Sequence, residues 1–505
     1  MILTTHNQTP FPSTLYCAAE VRALDQAAIA AGTPGIQLMK RAGRAVFDAL
    51  HQAYPEPGLI TVYCGAGNNA GDGYVVAALA AQRRLPVQVI QVGALDKLTG
   101  DARHAYDFAC QEGVAITAFE NAAVPAEGVV VDALLGIGLQ GSVRAPFLQA
   151  IEQINACGLP VVAVDLPSGL DADSGAVQGC AVNAAITVTF IGTKRGLLTG
   201  RGPALCGTLV LADLSVSADI LQAQSGSAEL LRLPALLNNL APRAADAHKG
   251  DFGHVMVIGG DTGFGGAALM AAEAAARTGA GLVSIATRPE HIPAILARRP
   301  EVMACGVVSG QELEPWLARP TVLVVGPGLG RSPWSEQMLQ QAVKSGLPLV
   351  LDADALNILA AGRVVAENTR RDNWLLTPHP GEAARLLAVN TTDIQNDRFA
   401  AVSKIQQSYG GAVILKGAGS LVAAEADCIG VVAAGNPGMA TGGMGDVLSG
   451  ILGGLIAQGL TVAQAARLGA CLHATAADLA ADEVGQRSLL ATDLMPYLCQ
   501  LLSDQ

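Results

Sequence analysis

Short apolar runs alternate with longer amphipathic stretches along most of the chain. In the first 215 residues the runs are rich in Val and Ile, and the stretches between them repeat apolar residues every three to four positions. Apolar runs of this kind are typical of strands buried on both faces of a parallel sheet, and the periodic stretches predict helices. The first half is therefore predicted to be an α/β domain with strands in the segments LITVYC, VQVIQVG, GVVVD, VVAVD and AITVTF.

The same pattern also predicts where the chain divides. Residues 20–53 are expected to form two helices separated at Gly32–Pro34. From 216 to 247 the alternation stops, with no strand run and with Pro and Ser present, so a linker with one or two helical turns is expected. The alternation then resumes with HVMVIGG, LVSIAT, TVLVV, PLVL, NWLL and AVIL, and ends in a helical region at about 443–503. We predict domains at 1–220 and 246–505 joined by a linker at 221–245.

Composition narrows the class of protein. The chain has 505 residues, of which 51% are apolar and 15% charged, so two hydrophobic cores are expected and general disorder is excluded. The formal net charge of −12 argues against a nucleic-acid partner. Ten cysteines are scattered with no CxxC pair, which indicates reduced thiols and a cytoplasmic protein.

No membrane association is expected. The first 20 residues lack a basic start followed by an apolar run, so they do not read as a signal peptide. The uncharged stretch 447–466 contains Ser, Thr and Gln together with several glycines, which favours a buried helix over a bilayer span.

A glycine turn and two aspartates mark a first candidate site. GAGNNAG (65–71) lies after a predicted strand and before a predicted helix, where backbone N–H groups can bind an anion, although a purely structural turn is an equal reading. No acidic residue follows about 20 residues on, which disfavours an ordinary dinucleotide-dependent hydride-transfer enzyme. Asp132 and Asp165 each end a predicted parallel strand. Such strand ends meet at one edge of the sheet, so these groups are expected to share a ligand site.

The motifs GNNAGDGY, DALLGIGL and DLPSGLDADSG resemble those of the NAD(P)H-hydrate epimerase family over most of residues 15–215. The family motif reads NNGGDG, and Ala70 replaces one glycine, which would strain the loop only if that position needs a positive φ. The resemblance implies a potassium ion held by Asn69, Asp132 and Ser168, with Asp165 beside the reacting ring. It also implies contacts with the hydrated dinucleotide at Asn68, Asn69, Ala70, Gly71, Asp72, Gly136, Ile137, Gly138, Leu139, Gln140, Gly141, Ser142 and Asp165.

This chemistry suits a carboxylate. The substrate carries a hydroxyl on the carbon next to the ring nitrogen, and its configuration can invert through a stabilised cation. Asp165 can move the proton and stabilise the positive charge as it develops. Oxygen ligands from Asn, Asp and Ser suit an alkali cation better than zinc.

A second candidate site lies at GNPGMATGGMGDVLSG (435–450). Successive glycines followed by an apolar helix predict an anion hole of backbone N–H groups, beside which Asp446 can accept a hydroxyl proton. Other predicted strand ends supply GPGLG (326–330), Asp352 with Asp354, His379 and KGAGS (416–420). For His379 alone, an ordinary loop histidine is the favoured reading. Lys416 alone could be an ordinary surface charge, although a lysine beside glycines suits a phosphate.

The segments HKGDFG, GPGLG, DADALN, TPHPGEAARL, LKGAG and GNPGMATGGMGDVLSG resemble the ADP/ATP-dependent NAD(P)H-hydrate dehydratase family over about 246–500. The resemblance implies an α/β protein with a Rossmann-like three-layer domain followed by a ribokinase-like domain, and magnesium with ADP or ATP at the second site. The implied AMP contacts are Lys416, Gly417, Ala418, Gly419, Ser420 and Gly445, and the implied hydrate contacts are Ala267, Gly328, His379 and Asp446.

Together the two resemblances imply repair of NADH hydrate and NADPH hydrate. One half epimerises the R and S forms, and the other dehydrates the S form through a phosphorylated intermediate. The alternatives are a ribokinase-like vitamin or sugar kinase, and a first half that only binds nucleotide. The phosphoryl donor, ADP or ATP, stays open. A homo-oligomer is expected because α/β enzymes of this composition are often symmetric assemblies.

Overall fold

The chain folds into two compact units, residues 1–229 and 230–505. The computed structural model describes residues 2–6, 10–365, 369–424 and 428–503. Each unit contains a largely parallel sheet flanked by helices, which confirms the predicted α/β class. The expectation that 216–247 holds no strand is wrong, because Ala228–Leu230 forms one. Ala228 and Leu230 are buried and Glu229 between them is half-buried, an alternation too short to detect in the sequence.

Unit 1 is built on an eight-stranded sheet. Its strand order is β1-β10-β8-β7-β6-β3-β4-β5, and all of its neighbouring strands run parallel. Outside it, β2 pairs with β9 and with the first residues of β11. The strands are β1 (Leu3–Thr5), β2 (Thr14–Tyr16), β3 (Ile60–Cys64), β4 (Val87–Gln91), β5 (Ala115–Ala118), β6 (Val129–Ala133), β7 (Val161–Val164), β8 (Ile186–Phe190), β9 (Thr193–Lys194), β10 (Thr208–Ala212) and β11 (Ala228–Leu230).

The helices of unit 1 cover both faces of this sheet. They are α1 (Ala18–Ala30), α2 (Gly35–Ala53), α3 (Asn68–Gln82), α4 (Gly100–Gln111), α5 (Phe147–Ala156), α6 (Gly202–Leu205) and α7 (Ala218–Ala223). The predicted break between α1 and α2 is confirmed, since Gly32 has a φ of 104° and Pro34 precedes the first residue of α2. The predicted glycine turn differs from the structure, because α3 already begins at Asn68.

Two glycines at the start of α3 allow the helix to pack closely on its neighbours. A Cβ on Gly71 would lie 2.5 Å from the sulfur of Met39, and one on Gly73 would lie 2.5 Å from Cβ of Ala133. Ala70, just before them, is fully buried and is not among the residues with positive φ. The alanine that departs from the family motif therefore causes no backbone strain.

Unit 2 contains a second sheet with the order β14-β13-β12-β15-β16-β17-β18-β19-β20. Its first seven strands run parallel, and β18, β19 and β20 are joined antiparallel. The strands are β12 (His254–Ile258), β13 (Leu282–Thr287), β14 (Met303–Gly306), β15 (Val322–Val325), β16 (Leu349–Leu351), β17 (Trp374–Leu376), β18 (Ala412–Leu415), β19 (Ser420–Ala423) and β20 (Ile429–Val432).

The helices of unit 2 are α8 (Leu233–Leu237), α9 (Gly265–Thr278), α10 (Ile292–Arg298), α11 (Gly310–Leu313), α12 (Pro333–Lys344), α13 (Ala353–Ala360), α14 (Pro380–Leu387), α15 (Thr391–Asn396), α16 (Arg398–Tyr409), α17 (Met444–Ala457), α18 (Val462–Val484) and α19 (Leu494–Leu502). The last three confirm the predicted helical region at the end of the chain. Within the described residues, no helix is both long and apolar enough to span a bilayer.

Small residues let α17 lie directly against α9. A Cβ on Gly450 would lie 2.0 Å from the carbonyl oxygen of Ala271, and one on Gly454 would lie 2.8 Å from that of Ala275. Because side chains at these positions would separate the helices, the glycines allow α17 to pack closely on α9. The first residues of α17 belong to the second candidate site.

Candidate active sites

The carboxyl ends of the central strands of unit 1 open into a cavity of about 780 Å³. It is lined by Asn68, Asn69 and Asp72 of α3, by residues 136–140 after β6, and by Asp165 after β7. Arg22 of α1 holds the 136–140 segment through a 2.9 Å hydrogen bond to the carbonyl of Ile137. The structure thus brings most of the predicted hydrate contacts together.

Four predicted contacts lie outside the cavity lining. Ala70 and Gly71 face the core of unit 1 on α3, and Gly141 with Ser142 follows the last lining residue of the loop after β6. Of the α3 residues in the motif, Asn68, Asn69 and Asp72 line the cavity, because another face of this helix packs against α2 and α4.

Asp165 is held in an unusual backbone conformation beside this cavity. Its φ is 68°, in the left-handed region that a residue with a side chain seldom adopts. Its carboxylate forms a buried ion pair with the ammonium of Lys194. Lys194 is 1% exposed and also donates to the hydroxyl of Thr189 and to the carbonyl of Phe190, both at 3.1 Å. Strain of this kind persists where the surroundings over-determine a residue, as at functional sites.

Two further carboxyl groups line the same cavity. Burial raises the pKa of Asp72 well above its ordinary value, and the negative charges of Asp165 and Asp25 raise it further against the opposing effect of Lys194. Burial also raises the pKa of Asp25. The site therefore combines an ion-paired carboxylate with two acids whose pKa values are raised, which suits proton transfer in both directions.

Sequence reasoning missed Lys194 and Asp25. Asp25 lies on an amphipathic helix, where an acidic residue usually marks the solvent face, and Lys194 precedes Arg195 in a short basic pair that resembles a surface turn. Neither position carries a local signal, because the tertiary fold alone turns these side chains toward the cavity.

The three predicted potassium ligands lie around the segment after β6, and one of them, Asn69, also lines the cavity. Asp132 is fully buried and accepts hydrogen bonds from Ser168, from the hydroxyl at 2.6 Å and from the backbone N–H at 2.8 Å. Ser168 also accepts from the N–H of Leu135 at 2.9 Å, and the next residue, Gly136, packs against Asn69.

These residues fit a monovalent cation. Burial raises the pKa of Asp132 to about 6, despite the hydrogen bonds from Ser168 and Leu134 that lower it. No Lys, Arg or His of the described ranges forms an ion pair with Asp132. The side-chain oxygen of Asn69 lies at the same segment, since a Cβ on Gly136 would be 3.4 Å from it. A buried carboxylate without a counter-ion, next to amide and hydroxyl oxygens, is a suitable donor set for a hard cation.

In unit 2, Asp352 organises the second site at the carboxyl end of β16. It is 1% exposed, and one of its oxygens accepts from Nζ of Lys416 at 2.7 Å and from the hydroxyl of Thr377 at 2.8 Å. The other accepts from the hydroxyl of Ser449 at 2.9 Å. Burial acts to raise the pKa of Asp352, but the charge of Lys416 and these hydrogen bonds outweigh it, so the pKa lies below its ordinary value.

This pair lies directly at the start of α17. A Cβ built on Gly445 would be 3.3 Å from Nζ of Lys416 and 3.2 Å from the carboxylate of Asp352. Gly443 begins the helix with a φ of 93°, which glycine adopts without strain. A lysine ammonium and a helix N-terminus therefore converge on one point, a combination that binds phosphate.

Asp446 and Glu382 are acids of the same site whose pKa values are both raised. Burial and the charge of Asp352 raise the pKa of Asp446 to about 7, against the lowering effect of Lys416. Burial likewise raises the pKa of Glu382 to about 7. Asp446 is half-buried on the first turn of α17, where it can take a proton from a bound hydroxyl.

The remaining predicted residues of this site form two groups. His379 begins α14, and its Nδ1 accepts a 3.0 Å hydrogen bond from the N–H of Gly381. Burial and the charge of Lys416 lower the pKa of His379. Ala267 and Gly328 lie against each other, since a Cβ on Gly328 would be 3.1 Å from that of Ala267.

Five of the six predicted AMP contacts lie in one turn of the chain, and the sixth, Gly445, lies in the first turn of α17. Residues 416–420 connect β18 to β19, and the hydroxyl of Ser420 donates to the carbonyl of Gly417 at 3.0 Å. Arg398, which is 1% exposed, donates to the carbonyl of Lys416 at 3.3 Å and so supports this turn. Asp354, singled out with Asp352, instead pairs with Arg331 at 3.5 Å. Sequence reasoning missed Glu382, Thr377, Ser449 and Arg398.

Fold and sites together define a two-domain α/β enzyme with an acid–base site in one unit and a phosphate-binding, kinase-like site in the other. A family model described as NAD(P)H-hydrate dehydratase matches residues 255–500, and one described as the YjeF-related protein N-terminus matches residues 35–196. A bifunctional NAD(P)H-hydrate repair enzyme of Coxiella burnetii is 48% identical over 97% of this chain and 99% of its own length. The chain therefore belongs to the family of bifunctional NAD(P)H-hydrate repair enzymes, as the resemblance implied.

Two solved structures are similar to unit 2. A hypothetical protein from Streptococcus mutans is 28% identical and has a TM-score of 0.50, covering 55% of this chain and 99% of its own. The ADP/ATP-dependent NAD(P)H-hydrate dehydratase from Bacillus subtilis, co-crystallised with ATP/Mg²⁺, is 26% identical and has a TM-score of 0.48, covering 54% and 97%. The expected ribokinase-like class of the second domain is confirmed with the family.

Proposed function

We propose that the two sites act in sequence on hydrated NADH and NADPH. The site in unit 1 interconverts the R and S hydrates, and the site in unit 2 uses ADP or ATP to return the S hydrate to the reduced cofactor. The domain limits 1–220 and 246–505, with the linker at 221–245, remain our assignment of the two activities. Membership of the repair-enzyme family supports the pair of activities, and the geometry supports the roles of individual residues.

In unit 1, Asp165 moves the proton of the reacting hydroxyl. Lys194 fixes this carboxylate beside a cavity that Asp72 also lines. Because the pKa of Asp72 is raised, one group can accept the proton while the other donates one. Asn69, Asp132 and Ser168 would hold the potassium ion. When bound, that ion would supply positive charge that offsets the buried carboxylate of Asp132.

In unit 2, Asp446 takes the proton from the substrate hydroxyl. At the same time the hydroxyl oxygen of the substrate attacks the terminal phosphorus of the nucleotide. The P–O bond to the leaving AMP or ADP breaks, and the product is a phosphate ester on the carbon next to the ring nitrogen. The nitrogen lone pair then expels inorganic phosphate, and loss of a ring proton restores NADH or NADPH. The N–H groups at the start of α17 and the ammonium of Lys416 stabilise the transferred phosphoryl group.

Magnesium is expected to bind together with the nucleotide. In the part of the chain that the structure describes, no three His, Cys, Asp or Glu residues are grouped to hold a metal. The nucleotide phosphates and water would therefore provide most of its coordination, as is common for Mg²⁺ at such sites. When bound, the ion neutralises charge on the transferred phosphoryl group.

One observation carries the assignment of unit 2: Lys416, the start of α17 and Asp446 converge at the ends of the parallel strands. The test is to supply the hydrate with ADP, with ATP and with neither, and to follow the absorbance of reduced nicotinamide. Asp446→Asn should lose nucleotide-driven dehydration and keep epimerisation, and Asp165→Ala should show the reverse. A stable phosphorylated product in place of NADH would instead indicate the alternative, a ribokinase-like kinase.

We also propose a cytoplasmic location and a homo-oligomer. The ten cysteines are scattered along the sequence with no CxxC pair, as expected of a protein in a reducing compartment. Fractionation and light scattering of the full chain test these two statements.

A further inference from the structure

The α17 loop, residues 433–443, joins β20 to the helix whose first N–H groups face Lys416. It contains three glycines besides Gly438, and two of these, Gly435 and Gly443, have positive φ values of 105° and 93°. Such a loop has many accessible backbone conformations, so something outside it must select one.

A carboxylate on the neighbouring helix α18 makes that selection. One oxygen of Asp478 accepts from the N–H of Gly435 at 2.8 Å, and the other accepts from the amide nitrogen of Asn436 at 2.9 Å. The same nitrogen of Asn436 donates to the carbonyl of Ala477 at 3.0 Å. Asn436 then caps the next turn, since its side-chain oxygen accepts from the N–H of Gly438 at 3.0 Å.

Helix α18 thus supports the beginning of the phosphate-binding segment, because Asp478 fixes the first residues of the α17 loop. His473 lies five residues earlier on the same helix. His473 is 7% exposed, and its Nε2 has no hydrogen-bond partner among the described residues. The helix is 23 residues long and packs on α17 and α19, which makes it a rigid support.

We propose that Asp478 is a positioning residue for phosphoryl transfer. Resting on the function proposed for unit 2, this inference assigns to the Asp478–Asn436 contact the pre-organisation of the N–H groups that face the transferred phosphate. Pre-organised donors stabilise a transition state without rearrangement, and a displacement of about 1 Å at such a site can cost about a hundredfold in rate.

The decisive variant is Asp478→Asn in the full chain. The new amide has one oxygen, so it can accept a hydrogen bond from only one of the two donors. The other donor, the N–H of Gly435 or the amide of Asn436, would then face the N–H groups of the new side chain. We expect kcat of the nucleotide-driven dehydration to fall about tenfold or more, with a smaller change in KM for ADP or ATP. Asp482→Asn is the matched control, because Asp482 is exposed one turn further along α18.

The exchange Asn436→Asp combined with Asp478→Asn provides a rescue. It restores the bond between the two side chains and leaves an acceptor for Gly435 and for Gly438, but it loses the bond to Ala477. We therefore expect partial recovery of kcat in the double variant. Recovery of this kind would not follow from a merely destabilised helix.

Three outcomes separate the possibilities. If the unsubstituted chain does not dehydrate the hydrate, the function proposed for unit 2 fails. If it does and Asp478→Asn retains its kcat, or the double variant recovers nothing, the positioning role is refuted. Epimerase activity, measured on the same polypeptide, should stay unchanged in every variant. If Asp478→Asn does not fold, Asn436→Ala removes the contact from the loop side and must give the same loss of kcat.

Discussion

The proposed base of the dehydratase should give the reaction a steep pH dependence near neutrality. The pKa of Asp446 is raised to about 7, and only its deprotonated form can accept the substrate proton. The active fraction of such a group is about ten in eleven near pH 8 and about one in eleven near pH 6. We therefore expect kcat/KM of dehydration to fall about tenfold as the pH is lowered across this range. An aspartate with its ordinary pKa would give a flat profile here.

The assay follows the appearance of reduced nicotinamide at saturating nucleotide, with the pH varied at constant ionic strength. Glu382 titrates in the same range, since its pKa is also about 7, so Glu382→Gln must be measured in parallel. If Asp446 is the base, this variant keeps the sloping profile, with a modest change in rate. A flat profile in the unsubstituted chain, or a slope that disappears in Glu382→Gln, would refute the assignment of Asp446.

Two further predictions concern stability. Lys194→Met leaves the carboxylate of Asp165 buried without its cation, so we expect a loss of about 3–5 kcal/mol in the free energy of unfolding, measured by urea titration. The control Lys97→Met changes an exposed lysine and should leave this free energy unchanged within about 0.5 kcal/mol. An unchanged midpoint would show that the ion pair contributes nothing. Gly450→Ala places a methyl group 2.0 Å from a carbonyl oxygen of α9, so it should cost about 1–3 kcal/mol and lower the melting temperature. Gly266→Ala, with open space around its Cβ, should not, and equal behaviour of the two would contradict the packing argument.

The sequence predicted the central strands of both sheets because strands buried on both faces are continuous apolar runs. The edge strands escaped prediction: Ala115–Ala118 and Met303–Gly306 are only partly buried and carry no such run. The short strand Ala228–Leu230 was lost in a segment whose composition resembles a linker. The apolar runs in the sequence therefore indicate that a strand is buried on both faces, and they do not detect strands that are only partly buried.

The same distinction holds for the sites. Asp165 and Asp446 were predictable because each follows a strand or a glycine turn at a position that the fold class itself defines. Their partners were not, because the chain supplies them from distant elements: Lys194 is 29 residues from Asp165, and Asp478 is 43 residues from Gly435. Nothing in the neighbourhood of Asp478 in the sequence indicates that its carboxylate faces a loop rather than solvent.

The two aspartates of unit 2 show how one lysine separates structural from chemical roles. Lys416 is bonded to Asp352 at 2.7 Å, which holds the pKa of that acid below its ordinary value and keeps it charged. Asp446 has no ion pair within the described ranges, and the charge of Asp352 raises its pKa further. If the ammonium instead faced Asp446, the proposed base would be too weak to accept a proton at neutral pH. The pairing of Lys416 with Asp352 therefore both fixes the phosphate-binding charge and preserves the basicity of Asp446, because Asp352 takes up the ion pair that would otherwise acidify it.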